Sequence, residues 1–161
     1  MFVVRRLIFL LIILATTTLT SCDEKRLYED NVEFKDRYWL VSNEPSFEFM
    51  IADSAQAYNL YYNVRNSLDY RWDRIFVTYV LTDSAGNELA KKLVYNDLFD
   101  PAGRPYGESG LGDLYDHQFP LLANYRFEHA GKYSLRLIQF SRQDTLRGVL
   151  AVGARVERAI N

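Results

Sequence analysis

Residues 74–83 read RIFVTYVLTD, the most apolar segment downstream of the N-terminus. Ile75, Val77, Tyr79 and Leu81 fall on one side of an extended chain, and Phe76, Thr78 and Val80 on the other. A period of two with apolar residues on both faces predicts a central strand rather than a helix. The DSAGNE that follows is a turn signal, because Gly86 and Asn87 tolerate positive φ. ELAKKLVYNDL, residues 88–98, then returns as the hairpin partner.

The same alternation recurs on either side of this hairpin. PSFEFMIA sets Phe47, Phe49 and Ile51 against Ser46, Glu48 and Met50. AYNLYYNVRN sets Tyr58, Leu60, Tyr62 and Val64 against Asn59, Tyr61, Asn63 and Arg65. HAGKYSLRLIQF offers a turn at Gly131, then Tyr133, Leu135 and Leu137 alternating with Ser134, Arg136 and Ile138. After a polar turn at Arg142 to Asp144, LAVGARVER directs Leu150, Val152, Ala154 and Val156 inward, opposite Arg155 and Glu157. Short strands at this spacing, with no long helical periodicity, predict an all-β domain: a single antiparallel β-sandwich of about seven or eight strands.

The N-terminus reads differently. Two arginines, Arg5 and Arg6, precede a short apolar run that gives way to small polar residues, the layout of an export signal and too short for a settled membrane span. Leu19, Thr20 and Ser21 lead into Cys22, the only cysteine of the 161 residues. That order resembles a bacterial lipobox, whose cysteine is acylated and becomes the first residue of the mature chain. Two or three acyl chains hold a protein on a bilayer far more firmly than one. Cys22 is therefore expected to be the lipid attachment site, with a membrane as partner. The expected organisation is a lipoprotein signal peptide over 1–21, a lipid-anchored polar tether over 22–33, where charge is dense, and the sandwich over 34–161.

About 140 residues remain after the signal, enough for one core. A formal charge of −2 and a pI near 5.7 argue against a nucleic-acid partner, which a basic face would advertise. The stretch 97–119, DLFDPAGRPYGESGLGDLYDHQF, holds four of the eight glycines and two of the four prolines. It reads as one long loop of the kind that carries function. Asp97, Asp100, Asp113, Asp116 and His117 offer oxygen and nitrogen donors in it, but their spacing matches no cation loop and no metal is expected. Ser109 stands outside any nucleophile elbow, so a set with His117 is only an enzyme reading on paper. Tyr61, Tyr62, Tyr70 and Trp72 suggest a stacking platform for glycans, against the plainer role of sheet packing. Arg65 is expected to pair with a carboxylate on a neighbouring strand.

Four stretches together resemble the gliding-motility lipoprotein family GldH of the Bacteroidetes: YNLYYNVRNSLDY (58–70), DPAGRPYGESGLGDLYD (100–116), HAGKYSLRLIQFSR (129–142) and LRGVLAVGARVER (146–158). They lie in order and span nearly all of the mature part. The chain departs from the family at Arg104, Pro105 and Tyr106, where a tryptophan is usual, and at Ser141, where a methionine is. The resemblance implies a lipid-anchored, non-enzymatic envelope component tied to gliding and the linked type IX secretion system, with no cofactor, catalytic residue or small-molecule ligand. Its partners would be other gliding or secretion proteins. The candidate interaction surface is Asn63, Arg65, Asn66, Asp69 and Tyr70 at the strand exit, with Asp100, Gly103, Gly107, Gly110 and Asp113 in the glycine loop.

Overall fold

The computed structural model describes residues 23–159. The signal segment and Cys22 lie outside them. Eleven strands follow one another: β1 (Arg26–Glu33), β2 (Tyr38–Leu40), β3 (Ser46–Ile51), β4 (Tyr58–Ser67), β5 (Arg74–Asp83), β6 (Glu88–Asp97), β7 (Glu108–Ser109), β8 (Leu114–Tyr125), β9 (Gly131–Gln139), β10 (Thr145–Arg147) and β11 (Val149–Arg158). All named pairings are antiparallel. One sheet has the order β1-β11-β4-β8-β7, the other β3-β9-β5-β6, and β10-β2 forms a separate short ribbon.

The core lies between the two larger sheets, where period-two alternation sends it. Phe47, Phe49 and Ile51 on β3, Ile75, Val77, Tyr79 and Leu81 on β5, and Tyr133, Leu135 and Leu137 on β9 face Tyr58, Leu60, Tyr62 and Val64 on β4. Tyr62 brings its hydroxyl into this layer and donates it to Asn96 Oδ1 at 2.7 Å, tying β4 to the end of β6. Trp39 on β2 is fully buried, stacks on Phe34, and donates its indole N–H to the Asn43 carbonyl. β5 is central as expected, with β6 on one side and β9 on the other. At the turn before β6, Gly86 takes φ 84° while Asn87 instead hydrogen-bonds Asp83 through both its amide and its side chain. β6 is one edge of its sheet, β3 being the other, and Lys91 and Lys92 on it are charges that discourage edge-to-edge pairing.

Four expectations need correction. The stretch expected to be a tether is from Arg26 onward an edge strand, paired with β11 from Arg26↔Glu157 to Glu33↔Ala151. An edge strand needs only a few inward apolar residues, here Leu27, Tyr28 and Val32, and its many charges sit on the outside. The long glycine loop ends at Asp113, because Leu114–Tyr125 is β8, the longest strand. Its Pro120 is compatible because β7 pairs only with Tyr115 and Asp116, so the missing N–H belongs to an unpaired edge. On β11 a register shift between Val149 and Ala151 switches the inward phase, so Val149 is buried and Leu150 is not. The count rises to eleven because β1, β8 and three strands of two or three residues join the predicted set.

If β1 were a tether, removing it would be neutral. Deleting residues 23–33 is instead expected to destabilise the domain by on the order of 3 kcal/mol, the value of three partly buried apolar side chains plus the ladder they belong to. Urea unfolding of the two proteins, with and without this segment, measures the difference.

Candidate functional site

The register across the five-stranded sheet lays its outward side chains in rows. One row runs Glu33, Ala151, Arg65, Asp116, Glu108 across all five strands, and the next runs Asn31, Gly153, Asn63, Gln118 across four. Because β11 contributes only alanine and glycine to these rows, the face is hollow there. The hollow is a trough of about 610 Å3, with Tyr106 and Gly107 of the glycine loop lining it beside these polar side chains.

Most polar groups in the trough have a partner. Arg65 meets Asp116 as a fork, Nε to Oδ1 at 2.8 Å and Nη2 to Oδ2 at 3.1 Å, the cross-strand pair that the sequence suggests. The hydrogen bond to Asp116 raises the pKa of Arg65. Asn63 donates to Glu29 Oε1 at 3.1 Å and accepts from Gln118 Nε2 at 3.2 Å. At the end of the face Arg155 holds Glu29 at 2.9 Å, Glu157 at 2.6 Å, and Asp23. Burial opposes the charge on Arg155, but the bonds from Asp23 and Glu157 outweigh it and raise its pKa.

The other sequence-predicted residues divide into two groups. Asp69 and Asp113 converge on Arg37, at 4.0 and 3.0 Å, outside the trough's lining. Asp100 folds the loop locally: Oδ1 accepts the amides of Ala102 and Arg104, Oδ2 accepts Arg104 Nε at 2.7 Å, and Gly103 follows with φ 80°. The amide of Arg104 is the largest of the contacts that lower the Asp100 pKa. Gly110 donates its amide to the Leu114 carbonyl and closes the β7–β8 turn. Asn66 and Tyr70, in contrast, are buried and drop out of the candidate surface. Asn66 turns inward at the strand end to meet His117, and Tyr70 packs in the core with its hydroxyl on the Arg74 carbonyl. Of the glycan platform Tyr61, Tyr62, Tyr70 and Trp72, both Tyr62 and Tyr70 are therefore lost to the core, while Trp72 is half exposed among Arg71, Gln143 and Arg147.

The donors considered for a cation are dispersed as well. Asp97 pairs with Arg74, Asp100 with Arg104, Asp113 with Arg37, and Asp116 with Arg65. Among the described residues no group of three or more acidic, histidine or cysteine side chains gathers to hold a metal. His117 Nε2 lies 2.8 Å from Asn66 Oδ1, which requires a proton on that nitrogen, and Ser109 instead donates to the Gly110 carbonyl. The residues that sequence reasoning missed are Asn31, Glu29, Gln118 and Arg155. Their signal lies in strand registers rather than in any local motif.

Gly107 closes on His117 so tightly that a Cβ would lie 2.6 Å from Nε2. Since that nitrogen is pinned by Asn66, Gly107→Ala is expected to cost about 1–3 kcal/mol in a thermal or urea melt. Burial also pushes the His117 imidazole down to about 4 from 6.5, against the opposing pull of Asp116. The unfolded chain then holds a proton that the native one lacks between these values. Stability from this group is complete above pH 6.5 and declines as pH falls toward 4, by on the order of 2–3 kcal/mol. His117→Gln should flatten that part of the stability profile, measured by urea midpoints from pH 7 to pH 4.5.

Comparison with known proteins follows the same residues. The model of the family described as GldH lipoprotein matches residues 26–156. A gliding motility lipoprotein GldH homolog of Christiangramia forsetii is 30% identical over 149 residues, covering 88% of this chain and 90% of that one. The gliding motility lipoprotein GldH of Flavobacterium johnsoniae is 26% identical over 155 residues, covering 92% and 94%. Among solved structures, a family GH115 4-O-methyl-alpha-glucuronidase aligns with a TM-score of 0.49 at 10% identity, over 90% of this chain and 19% of that one. The match extends from β1 to β11 without interruption of the sandwich, and the chain belongs to the GldH lipoprotein family.

Proposed function

We propose that this gliding-motility lipoprotein is a non-enzymatic adaptor, held to a membrane through Cys22, that binds another envelope protein of the gliding or type IX secretion set through its hollow sheet face. The observation that carries the reading is the trough itself. It is wide, polar and built from paired charges, so it offers hydrogen bonds and shape to a protein surface without an activated nucleophile at its floor. Glu33 and Glu108 at the two ends of one row, with Tyr106 on the rim, give a partner both charge and an aromatic anchor. The Arg37, Asp69 and Asp113 cluster extends the same surface.

The test uses the full-length protein in its native envelope. Wild type, Cys22→Ala, and the double variant Asn63→Ala with Arg65→Glu are crosslinked, taken into detergent, and their companions identified by mass spectrometry. Wild type should partition with lipid and recover motility or secretion proteins. The double variant should keep its lipid and lose those companions at least about tenfold, and Cys22→Ala should leave the lipid phase. A wild type that partitions with lipid yet recovers no envelope protein sinks the adaptor reading.

A further inference from the structure

The residues that follow the anchor sit at one end of the sandwich and the trough's Glu33, Arg65 and Asp116 row at the other, with Glu29 and Asn31 lining the stretch between, and those first residues are tied directly to the fold. Asp23, the residue covalently next to Cys22, is clamped by Arg155, and its carbonyl accepts the Arg26 amide at 3.1 Å. The Glu24 carbonyl accepts Arg158 Nη1 at 3.1 Å, and the Lys25 carbonyl accepts the Arg158 amide at 2.8 Å. The strand ladder begins at Arg26. Adjacent Cα atoms are about 3.8 Å apart, so a lipid-bearing residue 22 has one peptide unit of slack and no more.

The strand registers then say which surface this brings down. Level with Arg26 are Glu157 on β11 and Asn59 on β4, and one residue further out, beside Lys25, come Arg158 at the end of β11, Tyr58 at the start of β4 and Tyr125 at the end of β8. The second sheet joins them there, since Tyr28 packs on Phe49, and Phe127 on both Tyr58 and Tyr133. The loops at this end are 52–57, 84–87 and 126–130, all short and tied down, for instance by the Arg126 guanidinium on the Ala55 carbonyl and Asp83 on the Ala85 and Asn87 amides. At the other end, seven residues of β1 later and so about 23 Å away, are Glu33, Arg65, Asp116, Arg37 and the whole glycine loop.

We propose that the domain stands on the lipid surface on the end formed by residues 23–26, 52–57, 84–87 and 126–130, and presents the trough's Glu33, Arg65 and Asp116 row and the glycine loop away from the bilayer. The inference rests on Cys22 as the anchor. The contact is imposed by the missing slack rather than by charge, because this end carries Lys25, Arg26, Arg126 and His129 alongside Asp23, Glu24, Asp53 and Glu128. A rigid stem with short loops faces the headgroups, and the adaptor face reaches outward.

Acylation blocks the one native cysteine, so a single introduced cysteine is the only thiol to label. Ala55→Cys, Ala130→Cys and Ala102→Cys all replace exposed alanines, the first two at the near end and the third in the glycine loop. Each full-length lipoprotein is purified from the native envelope, labelled with bimane, reconstituted into phosphatidylethanolamine and phosphatidylglycerol vesicles, and read with headgroup nitroxide lipids. Quenching at 55 and 130 should exceed that at 102 at least about twofold, and a twelve-residue Gly/Ser insertion after Cys22 should erase the difference. Equal quenching at all three sites in protein that floats with the vesicles overturns the orientation while leaving the anchor intact. Failure to float removes the anchor, and this inference with it.

Discussion

Strand β4 has a neighbour on each edge and a second sheet against one face, so its side chains have no freedom of side. Tyr58, Leu60, Tyr62 and Val64 go to the core, which forces Asn59, Tyr61, Asn63 and Arg65 outward at intervals of about 7 Å. Everything in the trough is built on that row. β11 lies beside it with Ala151 and Gly153, and a Cβ on Gly153 would fall 1.9 Å from Asn31 Oδ1. Asn31 therefore lies over β11 toward Asn63, and the face stays hollow because the strand between them carries almost no side chain.

The charges on this face set geometry more than stability. Arg65 and Asp116 are each nearly half exposed, as are most of the ion-paired side chains, and pairs in that setting are worth about 0–1 kcal/mol. Burying a single Leu or Phe side chain contributes about 1.5–3 kcal/mol. The interior, with Trp39, Tyr58, Tyr62, Phe47 and Leu137 among its fully buried side chains, decides whether the chain folds. The fork of Arg65 on Asp116 decides which atoms this face presents.

How much of this was readable from the sequence depends on where the information lies. The inward and outward sides of β3, β4, β5 and β9, and the β5–β6 hairpin, follow from alternation alone, because each of those strands has one face on the core. β8 has a mixed burial pattern with a proline inside it, and β1 is an edge strand, so neither shows the contrast on which alternation depends. The site was legible in part for the same reason. Arg65 could be expected to find a carboxylate, and family resemblance pointed to the glycine loop. Asn66 shares the parity of Tyr58, Leu60, Tyr62 and Val64, so alternation already turns it inward, whereas its meeting with His117, 51 residues away, and the burial of Tyr70 beyond the strand end are set by the fold. Glu29 and Arg155 meet across 126 residues, and only the pairing of β1 with β11 puts them side by side.

The two ends of the sandwich differ in kind, and this difference links fold to role. At one end every connection is short and tied down, within itself at Asp83, whose carboxylate accepts two amides and the Asn87 side chain, and to its neighbour where Arg126 meets the Ala55 carbonyl. At the other end the chain spends residues 98–113 on a loop whose order comes from local devices: the Asp100 turn, the Phe99 to Pro105 bridge and Gly107 against His117. The loop crosses from β6 in one sheet to β7 and β8 in the other, and ordering it costs conformational entropy. Leu98 and Phe99 at its start go into the core, and Tyr106 and Gly107 wall one side of the trough, so its ordering serves both the interior and the shape of that face.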